Sequence, residues 1–223
     1  RAPSAAAAPA PKPGAPPRLA APPLRTVPVE GVCIGVSTGG PNALAALLPA
    51  LPADLAVPIV IVQHMPPVFT RFLAERLAQR CPFPVTEAQD GEPARAGHAY
   101  IAPGDHHVVL EKRAGGAVLH LTQEPPENSC RPAVDVLFRS AAATWGAGTL
   151  AVVLTGMGSD GARGARTVHE AGGRVLVQDE ASSVVWGMPG AVAATGSAER
   201  IVPLAELPAE IVRRLPAVAP AGR

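Results

Sequence analysis

Residues 31–48 read GVCIGVSTGGPNALAALL, and the stretch changes character in its middle. The first six residues form a short apolar run, the length and composition of a strand. A glycine-rich turn, STGG, follows. After it comes Pro41, a residue favoured in the first turn of a helix, and then a small apolar helix over 41–48. Strand, tight turn and helix in this order form the repeating unit of α/β proteins.

Two other segments repeat the pattern. Residues 57–62 (VPIVIV) are a β-branched run of the kind buried on both faces of a parallel sheet, and an amphipathic helix lies within 66–80. Residues 149–154 (TLAVVL) form another such run, before a helix over 160–171 closed by Gly172-Gly173. A helix over 132–145, a strand over 174–177 and helices over 189–194 and 204–215 complete the reading. The stretches 98–101, 108–112 and 117–121 read as a hairpin region with Gly115-Gly116 as its turn. The expected fold is therefore α/β: a doubly wound, mostly parallel sheet with helices on both faces and an antiparallel excursion near residues 98–121. No internal repeat interrupts it.

Outside this core the composition shifts. Residues 1–28 hold nine Pro and nine Ala, which favours an extended linker over a helix or a core. They carry Arg1, Lys12, Arg18 and Arg25 and no acid. That leaves 15 of the 19 basic residues against all 18 acidic ones in 29–223. The basic balance thus belongs to the linker, and the domain offers no nucleic-acid footprint. We expect a catalytic domain over 29–215 and a loose tail over 216–223. No apolar run approaches the ~20 residues of a membrane span, and Pro breaks each Ala run near the start, unlike a secretory signal. A cytoplasmic protein without direct membrane insertion is the expectation. Cys33, Cys81 and Cys130 are odd in number and lack metal-ligand spacing, so neither a disulfide framework nor a metal site is expected. Cys33 reads as core. Cys130, in a polar loop, reads as either a bland or a reactive thiol.

In parallel sheets, functional loops lie beyond the carboxyl ends of the strands. Three polar clusters fall there. Gly35-Val36-Ser37-Thr38-Gly39 contains G-x-S-x-G, a nucleophile on a strand-to-helix turn with a helix N-terminus behind it. By itself this segment also fits a Ser37 that merely caps that helix. A dinucleotide-binding loop would need Gly where Ser37 stands and an acid near the end of the second strand. Gln63-His64 supplies no acid, but an imidazole there can take and return a proton near neutrality. His64 could also merely cap the next helix. Thr155-Gly156-Met157-Gly158-Ser159-Asp160-Gly161 opens a third helix, and Asp160 could cap it or orient a histidine. Together the three loops bring Ser, His and Asp to one sheet edge. Their chain order differs from that of α/β-hydrolases. Of the other histidines, His106 and His107 are neighbours in a strand and so point to opposite faces.

The chain resembles the catalytic domain of the chemotaxis response-regulator protein-glutamate methylesterases and protein-glutamine glutaminases. The resemblance runs from about residue 31 to about 202. It is carried by GVSTGGPNAL (35–44), VQHMPPVFTRFLAERL (62–77), GHAYIAPGDHH (97–107), RPAVDVLF (131–138), LTGMGSDGARG (154–164) and QDEASSVVWGMPGAV (178–192). It implies that Ser37 is the nucleophile, His64 the base and Asp160 the residue that orients it. It also implies an oxyanion site at the backbone N–H of Met157, with Thr38 beside it. No metal or organic cofactor is implied. The implied substrates are methylated cytoplasmic helices of chemoreceptors, and the implied partner is an N-terminal receiver domain. This chain shows no receiver pattern before the linker and reads as a fragment or a version free of that control. Cys130, before Arg131, departs from the polar or basic residue expected there.

The chemistry that follows is ester hydrolysis through an acyl-enzyme, with the oxyanion met by N–H groups near Met157 and Ser37. Deamidation could share the same intermediate. Two rival readings stand beside it: a non-catalytic binder of methylated receptors, and a small-ligand or nucleotide module using the glycine loops.

Overall fold

The computed structural model describes residues 27–217. The expected linker and tail therefore lie almost wholly outside the described residues. In chain order the elements are β1 (Gly31–Val36), α1 (Gly40–Leu47), β2 (Ile59–Gln63), α2 (Phe69–Ala78), β3 (Val85–Glu87), β4 (Ala99–Ile101), β5 (His107–Arg113) and β6 (Gly116–Thr122). There follow α3 (Val134–Trp145), β7 (Thr149–Val153), α4 (Ala162–Glu170), β8 (Arg174–Gln178), α5 (Met188–Ala194), β9 (Arg200–Val202) and α6 (Leu207–Val212).

Seven strands form one parallel sheet in the order β3-β4-β2-β1-β7-β8-β9, and β5-β6 form a separate antiparallel pair. This is the expected α/β architecture. The hairpin is narrower than expected, however. β4 is not part of it but pairs in parallel with β2, Ile59 opposite Ala99. The hairpin turn falls at Ala114-Gly115, and Gly116 already pairs with Arg113.

Both faces of the sheet are covered, which explains the near-continuous apolar strands. Val32, Ile34 and Val36 of β1 enter the core beneath α1, α2 and α6. Cys33 enters the opposite core with α3, α4, α5 and the hairpin. On that second face β1 presents only Gly31, Cys33 and Gly35. A Cβ at Gly35 would run into the Val134 side chain, and one at Gly31 into the Trp145 ring. Small residues in β1 therefore let α3 lie directly on the strand.

The chain lays down β1 and β2, sets β3 at the outer edge and then fits β4 between β3 and β2. It then returns to place β7 on the other side of β1. Connections on the two sides of the β1–β7 boundary run in opposite directions. Open α/β sheets bind ligands at the carboxyl ends beside such a switch point.

Candidate active site

Ser37 leaves β1 at that switch point, with the loop after β7 on one side and His64 on the other. Val36 is in register with Gln63, so Ser37 and His64 leave adjacent parallel strands side by side. The His64 N–H donates to the Val36 carbonyl at 3.2 Å. The Gln63 amide, buried, donates to the carbonyls of both Ser37 (3.1 Å) and His64 (3.2 Å). One side chain thus ties the two loops together. It occupies the space that a Cβ at Gly40 would need, which is a physical reason for glycine at the start of α1. The turn itself closes through Gly40 N–H to the Ser37 carbonyl at 2.8 Å, with Gly39 at φ 84°. L-residues avoid that region.

On its other side Ser37 faces the loop after β7. Its N–H donates to the Thr155 carbonyl at 3.0 Å. A Cβ at Gly156 would stand 2.9 Å from the Ser37 Cβ. Thr155 anchors this loop: its N–H donates to the buried Gln178 Oε1 (2.8 Å) and its hydroxyl to the Thr38 carbonyl (2.9 Å). The Ser37 N–H is therefore already used. The N–H groups of Thr38 and Met157 have no protein acceptor among the described residues. Met157 is 68% exposed.

His64 and Asp160 are in direct contact, with Nε2 2.8 Å from Oδ2. Asp160 is buried and accepts four further hydrogen bonds. Val134 N–H (2.7 Å) meets Oδ2, while Asp135 N–H (3.0 Å), Gly161 N–H (2.9 Å) and the Asn128 amide (2.8 Å) meet Oδ1. Burial alone would push its carboxyl up. The His64 bond and the Val134 and Asp135 N–H groups outweigh burial and hold it below the usual carboxylate range. Asp160 does not cap the helix that follows it, because α4 has Gly161 at its N-cap and no side-chain cap. It instead caps α3, whose positive N-terminal end stabilises the anion. Asp135 of α3 reciprocates by accepting from Gly164 N–H in α4 at 2.6 Å. Asn128 bridges the two carboxylates, donating to Asp135 Oδ2 at 2.9 Å and to Asp160 Oδ1.

Because Nε2–H is directed at a carboxylate, Nδ1 of His64 is the nitrogen left to accept a proton. Nδ1 faces Cys130 Sγ at 3.7 Å. Among the described residues Ser37 Oγ makes no hydrogen bond. Burial, reinforced by the Asp160 charge, pushes the Cys130 thiol above its ordinary value.

A sequence model of the CheB methylesterase family matches residues 32–211. The chain belongs to the CheB methylesterase family. Similar relatives include the protein-glutamate methylesterase/protein-glutamine glutaminase of Nocardioides sp., 60% identical over 193 residues, which cover 85% of this chain and 52% of the relative. That of Trichodesmium erythraeum is 57% identical over 192 residues, 86% of this chain and 54% of the relative. The chain spans about half the length of these curated relatives. Among solved structures, the Thermotoga maritima CheB methylesterase catalytic domain aligns with TM-score 0.82 and 43% identity. The match covers 84% of this chain and 99% of that one.

Within this CheB-family domain the remaining polar residues fall mostly into bracing roles. Arg131 donates through Nε to Asp105 at 3.0 Å and through Nη1 to the carbonyls of Gln123 and Glu124. His107 is buried, accepts from Ala133 N–H at Nδ1 (3.1 Å) and approaches the Pro125 carbonyl through Nε2 (3.2 Å). His106 lies 3.4 Å from the Gly104 carbonyl. A cleft of about 530 Å³ bordered by Val29, Pro58 and Trp145 lies at the opposite, amino-terminal end of the strands, away from this chemistry. Sequence reading assigned no role to Gln63, Asn128 or Gln178. Gln63 had a detectable signal, a polar residue closing an otherwise apolar strand. Asn128 had none, because its partners are contributed by α3 and by the loop after β7.

Proposed function

We propose that this chain hydrolyses γ-methyl esters of glutamate on the cytoplasmic helices of chemoreceptors, using Ser37, His64 and Asp160. Ser37 Oγ attacks the ester carbonyl and His64 Nδ1 takes its proton. Asp160 fixes the ring with Nε2–H outward and stabilises the imidazolium that forms. The N–H groups of Thr38 and Met157, which have no acceptor among the described residues, would receive the oxyanion. The imidazolium then protonates the departing methanol, and water releases the glutamate carboxylate. The same acyl-enzyme would arise from a glutamine amide with loss of ammonia, so deamidation belongs to the same proposal. A receiver domain joined through residues 1–28 would be the regulatory partner in a longer protein.

The observation that carries this reading is the 2.8 Å His64–Asp160 contact beside Ser37 at the sheet's switch point. Unbound active sites often show long nucleophile–base contacts that tighten on binding substrate. Methanol release from methylated receptor tests the proposal. Wild type should release methanol, and Ser37→Ala, folded as wild type by circular dichroism, should not. Equal release from both would remove Ser37 from the mechanism. Receptor binding without release by wild type would favour the non-catalytic binder.

A further inference from the structure

We propose that His64 Nδ1 and Cys130 Sγ form a binding site for a thiophilic divalent cation, zinc above all, whose occupation blocks the site. One donor atom from each of His64, Cys130 and Asp160 lies within 4.8 Å of the others. The three are not equivalent. Asp160 already accepts five hydrogen bonds, more than the roughly four lone-pair directions of a carboxylate can hold singly. It has no capacity left for a metal. It is instead placed as the outer partner of a metal-bound histidine, which typically donates its second ring N–H to a carboxylate.

The remaining two donors have the right separation. A tetrahedral zinc with ordinary Zn–N and Zn–S bonds sets its nitrogen and sulfur about 3.6 Å apart. Nδ1 and Sγ stand 3.7 Å apart. Neutral imidazole nitrogen and cysteine sulfur are also the donor types that zinc prefers over magnesium or calcium. A cleft of about 250 Å³ is lined by both His64 and Cys130, with Met65, Pro66, Arg131 and Pro132, a volume large enough for water in the other two positions. The Arg131 guanidinium in that cleft is turned to Asp105 and to two backbone carbonyls, which offsets its repulsion of a cation. On binding, the Sγ–metal bond forms as the thiol proton leaves to water. Nδ1 is then occupied and cannot accept the Ser37 proton. The inhibitory half of the proposal rests on the function proposed above, whereas the binding half does not.

Cobalt(II) serves as a spectroscopic stand-in for zinc. Added to the metal-free full chain, it should give a near-ultraviolet thiolate-to-cobalt band saturating at one equivalent, and zinc should bleach it. Cys130→Ala should lose the band, while Cys81→Ala should keep it. In methanol release, each protein compared with its own metal-free rate, zinc should inhibit wild type, a chelator should restore it, and Cys130→Ala should need at least tenfold more zinc. A wild-type chain without the band, a band that survives Cys130→Ala, or equal zinc sensitivity of the two proteins would overturn the proposal. If no methanol were released at all, the cobalt titration would still decide the binding site.

Discussion

Asp160 carries two duties whose requirements conflict with any substitute. Both of its oxygens face N–H donors: Oδ2 meets His64 and Val134, while Oδ1 meets Asp135, Gly161 and Asn128. An asparagine must turn its own NH₂ toward one of these sets, leaving donor against donor. Asp160→Asn should therefore lower kcat by ~10⁴-fold through the wrong histidine tautomer. It should also cost ~1–3 kcal/mol of stability through the unmade hydrogen bonds. Steady-state methanol release and a urea melt read the two effects separately, and a variant as stable as wild type would contradict this account of the carboxylate. Gln63 supports the proposed nucleophile and base by another route, since it bonds only their carbonyls. Gln63→Leu keeps the bulk and removes both bonds. We expect kcat to fall by up to ~100-fold, the scale of a small misplacement, with KM little changed. A large KM change with kcat intact would mean that Gln63 contacts substrate.

At the scale of elements, α3 and β1 depend on closeness. Gly35 leaves no room for a side chain against Val134, and overpacking a dense core costs ~1–3 kcal/mol. Gly35→Ala should lower Tm by several degrees, at the ~2–4 °C per kcal/mol expected for domains of ~150–250 residues. An unchanged Tm would mean that α3 can retreat freely. The strands that hold the site were easy to read in sequence because they are long apolar runs with both faces buried. β3 and β9 went unread because three residues, such as Val85–Glu87, show no period. β4 was read as a strand but given the wrong neighbours. An apolar triplet such as Ala99–Ile101 does not encode whether its partner runs parallel, and its place beside β2 depends on the path of the whole chain. Helix ends were overdrawn at α6 and α4. In the latter, the left-handed Gly161 delays the start to Ala162.

For the whole molecule, stability should depend on pH through buried or paired carboxylates. Asp160 is held low as described, and Glu127 is held low by its hydrogen bonds to Arg139, with further help from that charge and from Arg163. Groups whose carboxyls are depressed on folding contribute stability that is full above the unfolded carboxylate range, near pH 4, and that drains as pH falls through the folded values. Urea midpoints measured from pH 7 downward should hold above about pH 5 and drop steeply below about pH 4. A midpoint constant to pH 2 would show that these anions add nothing to the fold. The same long-range wiring limited what the sequence could reveal about the site. That Ser37, His64 and Asp160 would come together was legible because each follows a buried strand, and parallel sheets collect such positions at one edge. Asn128 was not, because its bonds to Asp135 and Asp160 join segments that only the folded chain brings together.

The reciprocal grip between Asp160 on α3 and Asp135 on α4 bears on how a receptor complex could be caught at the bench. An inactive bait must keep the shape of the working protein while losing one chemical step. Removing the Asp160 carboxylate would loosen two helices at once, and a weak pull-down could then reflect a deformed surface. Ser37 Oγ bonds to nothing else among the described residues, so Ser37→Ala deletes the proposed nucleophile and leaves the scaffold intact. It is the variant with which to trap the proposed substrate, a methylated receptor helix.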